Sequence, residues 1–403
     1  MDLRLFERLD EEAYTVFEEK GLLSLSFVPD VLVCRDREEE YFARILTRGV
    51  AENFLPPMIR VFGRTGSGKT AVVRSVLERF SRYHGGIFRQ FYVNLKSCRT
   101  VFSAGNALLS AVCGRRVPVN LGLDRVFTEF WSELRALKGE GGRLFVCLVL
   151  DEVDSIFMDK HFDPSDFFYR FIRCQMYLED PDIKICLVAI TNNPFVLDDN
   201  LDARVKSSMG SEVLMFPAYK EEELREILVA RAEDAFKPGV LEDGVIDRCV
   251  ALVSKLFGDA RRAIDLLRVS GEVASESGSS TVTEEHVVKA WDRVNRDWVK
   301  EVILDLSGVH KIILIIIGLC VVNEILATTG KVYRTYKQEL ERFGRTPLGE
   351  RRFAEIIDEL RMMDLLDAPV VSMGRYGRTK IINLRVAPET VLDILYPKWR
   401  KQT

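Results

Sequence analysis

The stretch GRTGSGKT, Gly63 to Thr70, decides how the chain around it is read. A glycine, four residues and then glycine-lysine-threonine is the spacing of a loop that wraps a polyphosphate. Its glycines, Gly63, Gly66 and Gly68, free backbone N–H groups to turn inward on a phosphate, with Thr65 and Ser67 between them. Lys69 supplies positive charge for the β- and γ-phosphate oxygens, and Thr70 offers a hydroxyl to Mg²⁺. The helix expected from Ala71 adds the positive end of its dipole. An apolar run, MIRVF (58–62), precedes the loop and an amphipathic one, AVVRSVLERF, follows it, so the loop joins a strand to a helix.

Two further segments complete a nucleotide-hydrolysing set. LVLDEVD (148–154) is an apolar strand that delivers acids at its C-terminal end, about 80 residues after the loop. Asp151 falls beside the metal with Thr70, and Glu152 is placed to polarise a water for attack on the γ-phosphate. Asp154 reads as a cap or ion-pair partner. ITNN (190–193) ends the next strand, and Asn192 is the amide best placed to hold that water or touch the γ-phosphate.

At 403 residues the chain exceeds one compact core, so two or three domains are expected. Through about residue 220, the continuous apolar runs at 58–62, 89–95, 144–150 and 184–190 alternate with helical patterns. That alternation predicts an α/β domain, a parallel sheet with helices on both faces, over residues 1–220. Over 221–297 the strands stop and four helical patterns predict a small all-α domain. Over 298–403, helices followed by a two-stranded ribbon with a glycine-rich tip have the layout of a winged helix-turn-helix.

Composition excludes several classes. The chain is 47% apolar and 29% charged, with no biased tract. Its N-terminus, MDLRLFERLDEEAY, lacks the apolar core of a secretory signal, and a cytoplasmic location is expected. The run Ile312 to Val322 is far short of the ~20 residues a membrane span needs, so it predicts a buried helix. Eight cysteines without a CxxC pair and four isolated histidines read as reduced thiols and no zinc site.

Net charge is −4 overall, yet residues 300–403 hold 17 Lys/Arg against 13 Asp/Glu. The basic excess gathers in the ribbon, where no acid falls between Ser372 and Arg385. Arg375, Arg378 and Lys380 on a glycine-flanked tip suit a minor groove, and Tyr376 suits sugar or phosphate. A helix opening at Pro347, capped by Thr346, would present Arg351 and Arg352 to the major groove of double-stranded DNA.

In this order, the loop, DEVD, ITNN, LDARVKSSMGSEVLMFPAY and GDARRAIDLL resemble the AAA+ ATPases. More narrowly, with the wing GRYGRTKIINL (374–384), the chain resembles the archaeal origin-recognition and cell-division-control type of replication initiator over essentially its whole length. The resemblance implies ATP/ADP and Mg²⁺ as cofactors, origin DNA and the replicative helicase as partners, and neighbouring initiator subunits on DNA. It implies that Val28, Pro29, Arg35 and Tyr219 line an adenine pocket and that Arg261 reads the γ-phosphate, helped by Arg231. It also implies that Arg204 serves as an arginine finger on a neighbouring subunit's nucleotide. Cys34 stands where that family commonly has histidine, and Gly349 where its recognition helix often starts with serine. The expected function is a slow ATPase used as a switch by an origin-binding initiator. Two alternatives stay open: a helicase-loading adaptor, and a signalling ATPase whose winged helix makes protein contacts.

Overall fold

The computed structural model describes residues 15–25, 27–29, 32–98, 100–117, 122–138, 142–158, 163–173, 178, 180–254, 258–363, 365–372 and 378–397. It divides into two compact units, Met1–Val287 and Val288–Thr403.

The first unit is built on a five-stranded sheet: β1 Met58–Gly63, β2 Phe88–Asn94, β3 Leu144–Asp151, β4 Ile183–Thr191 and β5 Val213–Phe216. Spatial order is β2-β3-β4-β1-β5 and every pairing is parallel. Alternation in β3 shows why the sheet needs cover on both sides. Leu144, Val146, Leu148 and Leu150 pack with the helices Val101–Cys113, Leu123–Lys138 and Ser165–Ile172. Phe145, Cys147 and Val149 point the other way, into a core shared with Asp36–Ala51 and Lys69–Tyr83. Four of the five strands match the four apolar runs of the sequence. The fifth, VLMF, is short and sits at the edge with Met215 exposed, so its apolar signal is weak.

Beyond the sheet come the helices Glu221–Ala235, Val245–Ser254 and Ala260–Glu276, each with one buried apolar face. Phe17 and Glu18 pack on this helical part. Phe17 stacks near Phe236 with ring centroids 4.8 Å apart, and Glu18 N–H donates to Ala235 O at 2.9 Å.

In the second unit the run at 312–322 lies within the helix Gly308–Val322, whose Ile313, Leu314, Ile316 and Ile317 are buried. No helix among the described residues is long and apolar enough to cross a membrane. Helices Thr329–Arg342, Glu350–Met362 and Pro388–Leu395 surround one apolar core with it. Two short antiparallel pairs complete the unit: β6 Leu366–Asp367 with β9 Asn383–Leu384, and β7 Val370–Ser372 with β8 Arg378–Lys380.

One sequence expectation shifts. The helix expected at Pro347 begins at Glu350 with Gly349 as its cap, and Thr346 lies outside it. Two tyrosines cause the delay: Leu348 N–H donates to the Tyr336 hydroxyl (3.3 Å), and the Tyr333 hydroxyl donates to Leu348 O (3.0 Å). Both backbone groups of Leu348 are thereby spent outside any helix.

Glu152, directly after β3, has φ +54°, a left-handed conformation that costs an L-residue roughly 1–2 kcal/mol. Glycine carries no such cost but loses about 0.5–1 kcal/mol more in backbone entropy on folding. Glu152→Gly is therefore expected to raise stability by a net ~0.5–1 kcal/mol, read by urea unfolding. A loss of stability would show that the Glu152 side chain holds the turn.

Candidate functional site

The loop after β1 turns into the helix Lys69–Tyr83 through two positive-φ glycines, Gly66 (+71°) and Gly68 (+92°). Both positions also have neighbours that tolerate no side chain. A Cβ on Gly66 would overlap the Asp259 carboxylate, and one on Gly68 would lie 2.5 Å from the Tyr219 hydroxyl. Ser67 Oγ is buried in the same loop with no hydrogen-bond partner among the described residues.

Lys69 sits at the centre. Its Nζ donates to Gly63 O (2.8 Å), Arg64 O (2.7 Å) and Asn192 Oδ1 (2.9 Å). Burial, and secondarily the charge of Arg261, lowers its ammonium from the usual lysine value to about 8. Thr70 Oγ1 donates to Asp151 Oδ2 at 2.8 Å, and Glu152 N–H donates to Asp151 Oδ1 at 2.9 Å. Asp154 binds the neighbouring strand end, accepting from the Thr191 hydroxyl (2.7 Å) and the Asn192 N–H (3.2 Å). It thus orients the segment that carries Asn192 toward Lys69.

A cleft of about 590 Å³ opens beside the loop, within the range of small-molecule sites. Gly66, Gly68, Thr70 and Ala71 line one end; Val28, Pro29 and Tyr219 line it further on; Arg231 and Arg261 enter from the helical part. The structure therefore gathers ten of the sequence candidates in or at one cleft: Gly66, Gly68, Lys69, Thr70, Ala71, Val28, Pro29, Tyr219, Arg231 and Arg261.

Three arginines take places that their residue type alone does not reveal. Arg35 is 2% exposed and does not line the cleft; its Nε donates to Ser67 O (3.0 Å) and its Nη2 to Pro217 O (2.7 Å). Its guanidinium lies 3.8 Å from the Tyr219 ring centre, so it braces the loop and the ring from behind. Arg231 donates to Leu22 O (3.1 Å) and Phe27 O (3.4 Å), clamping the segment that forms the cleft's far wall. Arg204 stands apart, 72% exposed and paired with Asp202 at 2.6 Å.

Asp259, just ahead of Arg261, was not singled out in the sequence. Its Oδ1 accepts from the amides of Arg261 (2.9 Å) and Arg262 (3.3 Å), capping their helix, and burial raises its carboxyl above the usual range. The signal was available: an aspartate directly before a helical run is a cap pattern.

The second unit presents the other candidates. Arg351 is 95% exposed, reaching Glu355 only at 3.4 Å. Arg352 is held by Glu355 (3.1 Å) and Glu359 (2.7 Å), and Lys380 donates to both oxygens of Asp358 (2.8 and 3.0 Å). Arg378 lies on β8. Arg375 and Tyr376 lie outside the described residues.

Two family models match parts of the chain. Residues 225–292 match the model of the Cdc6 AAA+ ATPase-type lid domain, and residues 301–394 that of the CDC6 C-terminal winged helix domain. The chain is 38% identical over 398 residues to an ORC1-type DNA replication protein of Thermococcus onnurineus, covering 97% of this chain and 93% of that one. It is 37% identical over 401 residues to the one of Pyrococcus horikoshii, covering 97% and 92%. The structure of the Aeropyrum pernix ORC1 protein in complex with DNA matches with a TM-score of 0.76 at 36% identity, over 96% of this chain and 99% of that one. The chain belongs to the family of ORC1-type DNA replication proteins.

Proposed function

We propose that this protein is an ATP-regulated replication initiator, which binds origin DNA through its winged helix and α/β domain and helps recruit or load the replicative helicase. The observation that carries the nucleotide part is the cleft, where the phosphate loop and the helix bearing Arg261 meet. The residues fit the group. A buried Ser67 hydroxyl, unpartnered among the described residues, and two side-chain-free turns suit phosphate oxygens. The adjacent Thr70 hydroxyl and Asp151 carboxylate suit a hard cation such as Mg²⁺, which keeps several waters and takes few protein oxygens.

When bound, Mg²⁺ neutralises charge on the β- and γ-phosphate oxygens. Lys69, whose Nζ now holds the carbonyls of Gly63 and Arg64 and the Asn192 amide oxygen, would bind phosphate oxygens, and Asn192 would meet the γ-phosphate. Glu152 orients a water as general base. Val28, Pro29 and Tyr219 enclose the base, in a wall that Arg231 holds in place. Arg261 senses the γ-phosphate from the lid, so hydrolysis removes one lid contact and the nucleotide acts as a switch. Arg204 reaches a neighbouring subunit's nucleotide once released from Asp202.

Support for DNA binding comes from the family and from the basic ribbon. Within the helix Glu350–Met362, Arg351 is the more exposed and more loosely paired cation, reaching Glu355 at 3.4 Å, while Arg352 is occupied by two glutamates. Anisotropy of labelled origin duplex across salt concentrations tests this. Arg351→Ala is expected to lower the salt slope by about 1, and Arg352→Ala by less. Arg375→Ala/Arg378→Ala is expected to abolish preference for origin over random duplex. Equal, weak binding to both duplexes, indifferent to these changes and to ATP, would favour the adaptor reading.

The lowered Lys69 makes a second prediction. Phosphate favours the ammonium form, so nucleotide binding above about pH 8 must take up a proton, and affinity must fall as pH rises further. Calorimetry in buffers of different ionisation enthalpy should show that uptake at about pH 8.5 and little at about pH 6.5. Lys69→Arg should abolish it. Uptake that persists in Lys69→Arg would assign the proton to another group.

A further inference from the structure

Asp151 is 4% exposed, and both its oxygens are engaged. Oδ1 accepts from Glu152 N–H, while Oδ2 accepts from two hydroxyls, Thr70 at 2.8 Å and Tyr92 at 2.7 Å. Tyr92 comes from the edge strand β2, whose register sets it opposite Val149 and sets Asn94 opposite Asp151. Its half-buried ring lies against the Arg74 guanidinium, 5.4 Å from the ring centre, and Arg74 itself lines the cleft. The edge strand and the first turn of the helix that follows the loop thus meet at one carboxylate oxygen, and the proposed chemistry makes no use of the phenol.

The last torsion of an aspartate is broad and two-fold. Glu152 N–H and the Thr70 hydroxyl engage one oxygen each, and Tyr92 adds a second donor on Oδ2 that narrows the torsion further. We propose that Tyr92 is a positioning residue for the Mg²⁺ site: its hydroxyl holds Asp151 in the rotamer that keeps Oδ2 against Thr70, so the two oxygens meet the metal as one preformed set. Partners of this kind behind a metal ligand shift metal affinity by about 10–100-fold when removed. The assignment rests on the proposed reading that the cleft binds Mg²⁺ with a nucleotide. Phenylalanine at this position keeps the ring against Arg74 and removes only the donor.

The test uses the full chain as wild type, Tyr92→Phe and Tyr92→Leu, with a fluorescent ADP analogue titrated in EDTA and at increasing Mg²⁺. The two Tyr92 variants remove the donor with differently shaped apolar side chains, so a folding defect in one, seen by thermal melting, leaves the other to read. The expected result is wild-type affinity in EDTA, with the Mg²⁺ concentration for half-maximal tightening raised on the order of tenfold. Excess Mg²⁺ should restore the full effect. A Mg²⁺-responsive wild type with unshifted variants overturns the Tyr92 assignment alone. Wild-type binding that ignores Mg²⁺ overturns the underlying reading and this assignment with it.

Discussion

Asp259 lies where any side chain on Gly66 would have to be, and the next amide, Ala260 N–H, donates to the Gly66 carbonyl at 3.3 Å. Through this contact the helical part rests directly on the phosphate loop. The same carboxylate caps the helix Ala260–Glu276, so the first turn, with Arg261, is fixed relative to the loop. On the other side of the loop Tyr219 approaches Gly68, and Arg35 locks both Tyr219 and Ser67 O. The loop is held from two directions by groups that fit because its turns carry no side chains.

Cations around the cleft are mostly spent on backbone carbonyls. Lys69, Arg35 and Arg231 together hold Gly63, Arg64, Ser67, Pro217, Leu22 and Phe27. Charge-assisted bonds of this type are stronger than neutral ones and set the positions of segments far apart in sequence. The low Lys69 value is the cost of that arrangement: a buried ammonium next to Arg261 gives up part of its proton affinity. Glu152 carries a further cost in its left-handed backbone, at a position read as catalytic from the sequence.

Within the second unit, charge is arranged to limit what is free. Glu355, Asp358 and Glu359 pair with Arg351, Arg352, Arg361 and Lys380 along one helix. Lys380 also ties β8 to that helix, and Glu359 accepts from His310 Nε2 at 2.8 Å. A surface that looks basic by residue count thereby offers fewer independent cations, which narrows where a polyanion can be gripped.

Local chemistry was legible in the sequence because it is written in spacing. The glycine-rich loop, four of five strands, a buried helix over the run 312–322 and the grouping of Asp151 and Asn192 near the loop all follow from periodicity and motif order. The edge strand β5 escaped because four residues carry too little pattern, and the late start at Glu350 escaped because two tyrosines from another helix set it. Only the tertiary structure could decide that Arg35 braces the loop, that Arg231 holds Leu22 and Phe27, and that Tyr92 and Asp259 reach the site at all. Those roles depend on which backbone carbonyl or carboxylate lies within 3 Å or so of a long side chain, and parallel strand register and helix docking fix that distance across separations that no local pattern encodes.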